Sequence, residues 1–219
     1  MQPLAIHATG LSMRPILFCC LLVCALGLAN VSGQEAKKSD DKKAAPTNQK
    51  EVAVLKTSEG TMVVEFWPEV APQTVANFKK LAREGFYDGT NFHRIIKGFM
   101  IQGGDPLTKD PSKEALWGQG SPAYTIPDEF NDRPHVRGVL SMAHTNAPNS
   151  GASQFFICLG NASQLNQKFT AFGKVIKGLE VLDKIGDTPV TRAPDGESSR
   201  PRVPVRLESV KIVPADSVK

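Results

Sequence analysis

The run Phe92-His93-Arg94-Ile95-Ile96-Lys97-Gly98-Phe99-Met100-Ile101-Gln102-Gly103-Gly104-Asp105 limits what this chain can become more than any other stretch. Side chains alternate across a strand. A period-two reading therefore puts Phe92, Arg94 and Ile96 on one face of a short strand and Phe99, Ile101 and Gly103 on one face of the next, with Lys97-Gly98 as the turn. A fixed cation then stands among bulky apolar side chains, where an ordinary surface arginine would have polar neighbours. Its planar donors suit a ligand that is itself apolar but carries carbonyl oxygens. A proline-containing peptide segment has that chemistry.

The flanking chain extends the pattern. Glu51 to Thr57 and Thr61 to Trp67 read as strands joined by Ser58-Glu59-Gly60. Pro72 to Arg83 reads as a helix with proline in its first turn, an apolar stripe of Val75, Phe78, Leu81 and Ala82, and Gly85 as its stop. Pro106 to Gln119 reads as a long polar loop in which Trp117 either touches a peptide or packs the loop down. Gly138 to Ala143, Gln154 to Leu159, Thr170 to Ile176 and Val205 to Val213 are further strands, and Gly178 to Ile185 a short helix. The alternation of the last strand slips between Leu207 and Val210, which marks a bulge. Short strands, two helices and no strand-helix-strand alternation make the fold class mainly β, an antiparallel barrel rather than a parallel sheet.

The 219 residues suit one domain with appendages. Residues 1–33 read as a signal peptide: Arg14, the apolar run Ile16 to Ala29, then the small residues of Val31-Ser32-Gly33. That run is shorter than the roughly 18 to 20 apolar residues of a membrane span, so contact with a membrane is expected only if the leader stays uncleaved. Three of the four cysteines, Cys19, Cys20 and Cys24, lie in it, so an exported form keeps only Cys158 and has no internal disulfide. Residues 34–50 are charged and carry no aliphatic side chain larger than alanine, which predicts a disordered linker. From Glu51 onward 20 Lys and Arg face 19 Asp and Glu, a net of +1, which argues against a nucleic-acid-binding domain. His93, His135 and His144 show no ligand spacing and have no cysteine partner, so neither a metal nor a cofactor is expected.

The Phe92–Asp105 run resembles one signature of the cyclophilin family of peptidyl-prolyl cis-trans isomerases, and Ser153-Gln154-Phe155-Phe156-Ile157 resembles the other. The likeness covers the chain from about Glu51 to Val213. It implies a closed eight-stranded antiparallel barrel capped by two α-helices, a domain over 51–215 and a tail over 216–219. It also implies that Arg94 is catalytic and that Phe99, Met100, Phe156 and Leu165 line a proline pocket. Gln102 and Gln154 would orient the arginine or hold peptide backbone, and His93 would bind rather than act as acid or base. Gly118, Ala143 and Thr145 match rim positions, and His144 falls where the family often has Asn or Arg and where backbone contacts to the peptide are expected. Phe169 stands where the family often has histidine, and Gln164 where many members have the tryptophan that binds cyclosporin, so weak cyclosporin binding is expected. Ala152 replaces a usual glycine. The implied activity is isomerisation of X-Pro bonds in exported proteins as they fold, in the periplasm or secreted, by a monomer whose partners are proline-containing peptides and unfolded clients. A non-catalytic proline-peptide module and a holdase chaperone are the alternatives.

Overall fold

The computed structural model describes residues 50–218; the stretch read as a signal peptide at 1–33 and nearly all of that read as a linker at 34–50 lie outside them. The elements run β1 (Glu51–Thr57), β2 (Gly60–Phe66), α1 (Pro72–Arg83), β3 (Thr90–Phe92), β4 (Arg94–Ile96), β5 (Met100–Gly103), β6 (Val139–Met142), β7 (Phe155–Cys158), β8 (Ala171–Lys177), α2 (Leu179–Gly186), β9 (Val190–Arg192), β10 (Ser198–Pro201) and β11 (Val205–Pro214). Nine strands form one antiparallel sheet in the order β3-β11-β1-β2-β8-β6-β7-β5-β4. Its two end strands, β3 and β4, are consecutive in the chain and separated only by His93, so the sheet curls into a nearly closed barrel. Counted as one bent strand, Thr90 to Ile96 restores the expected eight. The ladder breaks at His93, where the chain stops pairing with β11 and starts pairing with β5.

That break overturns part of the period-two reading. Phe92 is buried in the barrel core beside Ile95 and Ile101, while Arg94 and Ile96 face the other way. In β5, Ile101 and Gly103 point inward, and a Cβ on Gly103 would stand 3.0 Å from the Phe92 ring. Phe99 belongs to the turn before β5 and packs on the outer side with Met100. Gly98 takes φ 74 in that turn, which the Phe99 amide closes by donating to the Ile96 carbonyl at 2.9 Å.

Both faces of the sheet are apolar here, for different reasons. The inner face and both helices share one core: α1 contributes Val75, Phe78, Leu81 and Ala82, and α2 contributes Leu182 and Ile185. Phe78 is ringed by Phe66, Tyr87, Phe155 and Phe172 at centroid distances of 5.7, 4.9, 5.4 and 5.5 Å. The outer face carries a second cluster of Trp67, Met100, Val139, Phe156, Cys158, Ala162 and Ala171, against which Phe99, Leu165 and Phe169 pack. Alternation explains why β7 is buried at all four positions. Phe155 and Ile157 enter the first cluster, and Phe156 and Cys158 the second.

The bulge in β11 lies where the slipped alternation predicts it, with Lys56 pairing Ser209 and Thr57 pairing Leu207 so that Glu208 is the extra residue. The segment read as a long polar loop instead contains two 3-10 turns, Pro106–Lys109 and Pro111–Leu116, each with proline in its first turn. The Asp105 and Asp110 side chains cap them, accepting from Leu107 N and Ser112 N. The hairpin β9–β10 has no counterpart in the sequence reading. Among the described residues no helix is long and apolar enough to cross a membrane.

Candidate active site

The outer apolar cluster opens to solvent as a pocket of about 260 Å³ lined by Arg94, Phe99, Met100, Gln102, Ala143, His144, Phe156, Leu165 and Phe169. Register places these side chains. Arg94 pairs across the ladder with Gln102, Ile96 with Met100, and Gln102 with Phe156, so each stands beside the next on one face. Phe169 meets Phe156 edge-on at 5.6 Å and stacks on His144 at 4.3 Å. The His144 ring nitrogens lie 2.6 and 2.9 Å from the carbonyls of Thr145 and Lys168, which ties two rim segments together.

Arg94 is one-third exposed and held from several sides. Its Nε and Nη2 donate to the two carboxylate oxygens of Glu197 at 2.7 and 3.1 Å, and its Nη1 donates to Gln102 Oε1 at 3.3 Å, with the Met100 sulfur 3.8 Å from the same nitrogen. Gln102 Nε2 donates to Gln154 Oε1 at 3.0 Å, and Gln154 Nε2 donates to the carbonyls of Gly118 and Gly120 at 2.9 and 2.8 Å. A polar relay thus runs from the guanidinium to the Pro106–Gln119 segment. That segment is pinned in turn by Asp105, fully buried, whose carboxylate accepts from the backbone amides of Leu107, Gly118 and Gly120. Gly120 has to be glycine, because a Cβ there would stand 1.9 Å from Asp105 Oδ1.

Gly118, Thr145 and Gln154 line an adjoining cleft of about 400 Å³ that shares Gln102, Ala143 and His144 with the pocket. His93 stands apart from the first pocket. It lines a third cleft with Arg94, Gln102, Trp117 and Gly118, and neither of its ring nitrogens has a hydrogen-bond partner among the described residues. Burial pushes its imidazole down to about 4, so it is neutral near pH 7. Trp117 packs the loop down, its Nε1 donating to Asp110 O at 3.3 Å, and its ring also lines the third cleft. Ala152 imposes no backbone strain, since the positive φ among non-glycine residues falls on Asn149 and Gln167.

Two supports escape the sequence reading. Glu197 sits in the β9–β10 hairpin, 103 residues from Arg94, and no spacing rule links them. Arg94 in turn holds its carboxyl below the usual glutamate range. His135 lies fully buried under Phe156, its ring centroid 6.1 Å away, with Nε2 2.9 Å from Ser141 Oγ and Nδ1 3.2 Å from Asn166 Oδ1. Burial lowers its basicity, which suits a structural imidazole. Among the described residues no three His, Cys, Asp or Glu are grouped to hold a metal.

A small barrel with an apolar outer pocket and a tethered guanidinium at its edge defines a class of protein that can hold an apolar segment carrying carbonyl oxygens. Residues 52–212 match the family model described as cyclophilin type peptidyl-prolyl cis-trans isomerase/CLD. A peptidyl-prolyl cis-trans isomerase of Synechococcus elongatus is 46% identical over 141 residues, covering 61% of this chain and 91% of the relative. The peptidyl-prolyl cis-trans isomerase-like 3 of Gallus gallus is 41% identical over 160 residues, covering 72% and 93%. A Cryptosporidium parvum cyclophilin whose crystal structure was determined in the presence of the dipeptide Ala-Pro superposes with a TM-score of 0.65 at 32% identity, covering 74% of this chain and 98% of that one. The chain belongs to the cyclophilin-type peptidyl-prolyl cis-trans isomerases.

Proposed function

We propose that this isomerase accelerates rotation about X-Pro bonds of proteins folding outside the cytoplasm, by non-covalent stabilisation of the twisted amide with Arg94. Rotation about such a bond meets a barrier of about 18–20 kcal/mol and takes tens of seconds or longer unaided. Reaching milliseconds requires removing roughly 6 kcal/mol. What must be lost is the double-bond character of the amide. A donor near the proline nitrogen gains most when the lone pair localises there, so it binds the twisted form better than either planar one.

The observation that carries this reading is the tethered guanidinium at the mouth of the pocket. Of its five N–H groups, Glu197 takes two and Gln102 one, leaving, among the described residues, one on Nη2 without a partner and one on Nη1 with only a weak thioether acceptor. The wall of Phe99, Met100, Phe156, Leu165 and Phe169 suits a pyrrolidine ring. That the structure of the Cryptosporidium relative was determined in the presence of the dipeptide Ala-Pro supports a proline-containing ligand for this pocket. Exchange spectroscopy on an X-Pro peptide tests the mechanism: Arg94→Ala lowers kcat/KM by about 100- to 1000-fold, in line with loss of one transition-state donor. Equal rates for the two proteins would leave only a peptide-binding role. Export rests on the leader-like composition of residues 1–33. N-terminal sequencing of the mature protein tests it, with a start near Gln34 expected and an intact Met1 or Met13 contradicting it.

A further inference from the structure

We propose that the cleft between the Pro106–Gln119 segment and the β9–β10 hairpin is a carboxylate subsite, taking an acidic side chain of the peptide beside the isomerised bond, with Arg200 as its cation. The inference rests on the isomerase reading and extends it to substrate choice.

Among the described residues, Arg200 is the one Lys or Arg less than a tenth exposed, at 6%. No carboxylate of the described residues lies within ion-pair distance of it, although eleven ion pairs form elsewhere among those residues. Its Nη1 makes a long hydrogen bond of 3.4 Å to the Glu114 carbonyl, its Nε has no partner, and its guanidinium lies 5.1 Å from the centre of the Trp117 ring. A cation withdrawn from water without a counter-charge is unfavourable, and an anion delivered from outside removes the penalty. The other guanidinium of the cleft, Arg94, already has Glu197.

The cleft measures about 290 Å³ and shares Arg94 and Gln102 with the proline pocket. A peptide whose proline occupies the pocket therefore has one flank within reach of Arg200. The planar fork of an arginine takes a carboxylate through two parallel bonds. His93, also in the cleft, is neutral and contributes a polar contact without charge. Asp195 opposes the attraction from the exposed rim, where its Oδ1 accepts from Glu197 N at 2.9 Å. It sets the size of the effect rather than its sign, because it stands in water and Arg200 does not.

The test uses end-capped Ala-Ala-Pro-Ala peptides carrying Glu, Gln or Lys on either flank of the Ala-Pro bond, so that no terminal carboxylate is present. Dissociation constants come from NMR titration and kcat/KM from exchange on the same samples. On one flank the Glu peptide binds about tenfold tighter than the Gln peptide, and the Lys peptide weakest. Arg200→Gln abolishes the preference, and Asp195→Asn widens it. Equal affinities for Glu and Gln on both flanks overturn the subsite, as does a preference that survives unchanged in folded Arg200→Gln. If that variant does not fold, Asp195→Asn decides, and an unaltered Glu-to-Gln ratio there overturns it. A Glu preference in binding without accelerated exchange on any peptide upholds the subsite and refutes the catalytic reading instead.

Discussion

His93 shows how much a single buried ring can impose. Desolvation is the largest influence on it; Asp105 pulls its basicity back up, while Arg200 and Arg94 push it further down, to about 4. In the unfolded chain an imidazole titrates near ~6.5. Between those values the unfolded state holds more protons, so stability falls as pH drops. The contribution is whole above ~6.5 and is lost progressively down to about 4, a loss of up to ~3 kcal/mol from this residue. Glu197 works in a lower window, since the Arg94 pair helps the fold above the ordinary glutamate range and is lost as pH falls through the depressed value. His135 shifts in the same direction as His93, so the measurement is comparative. Urea midpoints of wild type and His93→Gln between pH 7.5 and 4.5 are expected to diverge below ~6.5, with the variant less pH-sensitive. Parallel curves would remove His93 from the account.

Helix α1 depends on a residue far from it. Its N-cap, Ala71, offers no side-chain acceptor, and the amides of Gln73 and Thr74 instead donate to the two carboxylate oxygens of Glu129 at 3.0 and 2.8 Å. This anion at the positive end of the helix dipole takes the place of a local cap. Glu129→Ala is expected to cost about 1–2 kcal/mol in chemical denaturation with little change in isomerase rate. The helix itself was legible, from Pro72 and the stripe Val75, Phe78, Leu81 and Ala82, because those signals are local. So was the bulge near Glu208, since a slip in alternation is written in adjacent residues. The face of Phe92 was not, because the break at His93 arises from a change of pairing partner. Neither was the tether of Arg94 to Glu197, because 103 residues separate the two and only the barrel brings the β9–β10 hairpin alongside. The pocket residues, with Gln102 and Gln154 beside Arg94, are legible through their likeness to a family pattern; Glu197 and His135, which support the site from distant segments, are not.

At the scale of the molecule, one barrel presents three adjoining clefts that meet at Gln102, two of them also sharing Arg94. The rim of the proline pocket lacks an indole: Gln164 is exposed in the 3-10 turn Ser163–Leu165, and Phe169 fills the neighbouring wall. Cyclosporin is therefore expected to inhibit well above nanomolar concentration, and Gln164→Trp to tighten inhibition at unchanged peptide turnover. Nanomolar inhibition of wild type in the exchange assay would contradict this.

The sheet's first and last strands abut at a single residue, and the next residue along is Arg94. A substitution in β11 that loosens that seam is expected to shift the guanidinium beside it while the hydrophobic interior stays closed. Gradual damage to this protein should register as failing turnover while its spectroscopic signature of folding is still intact.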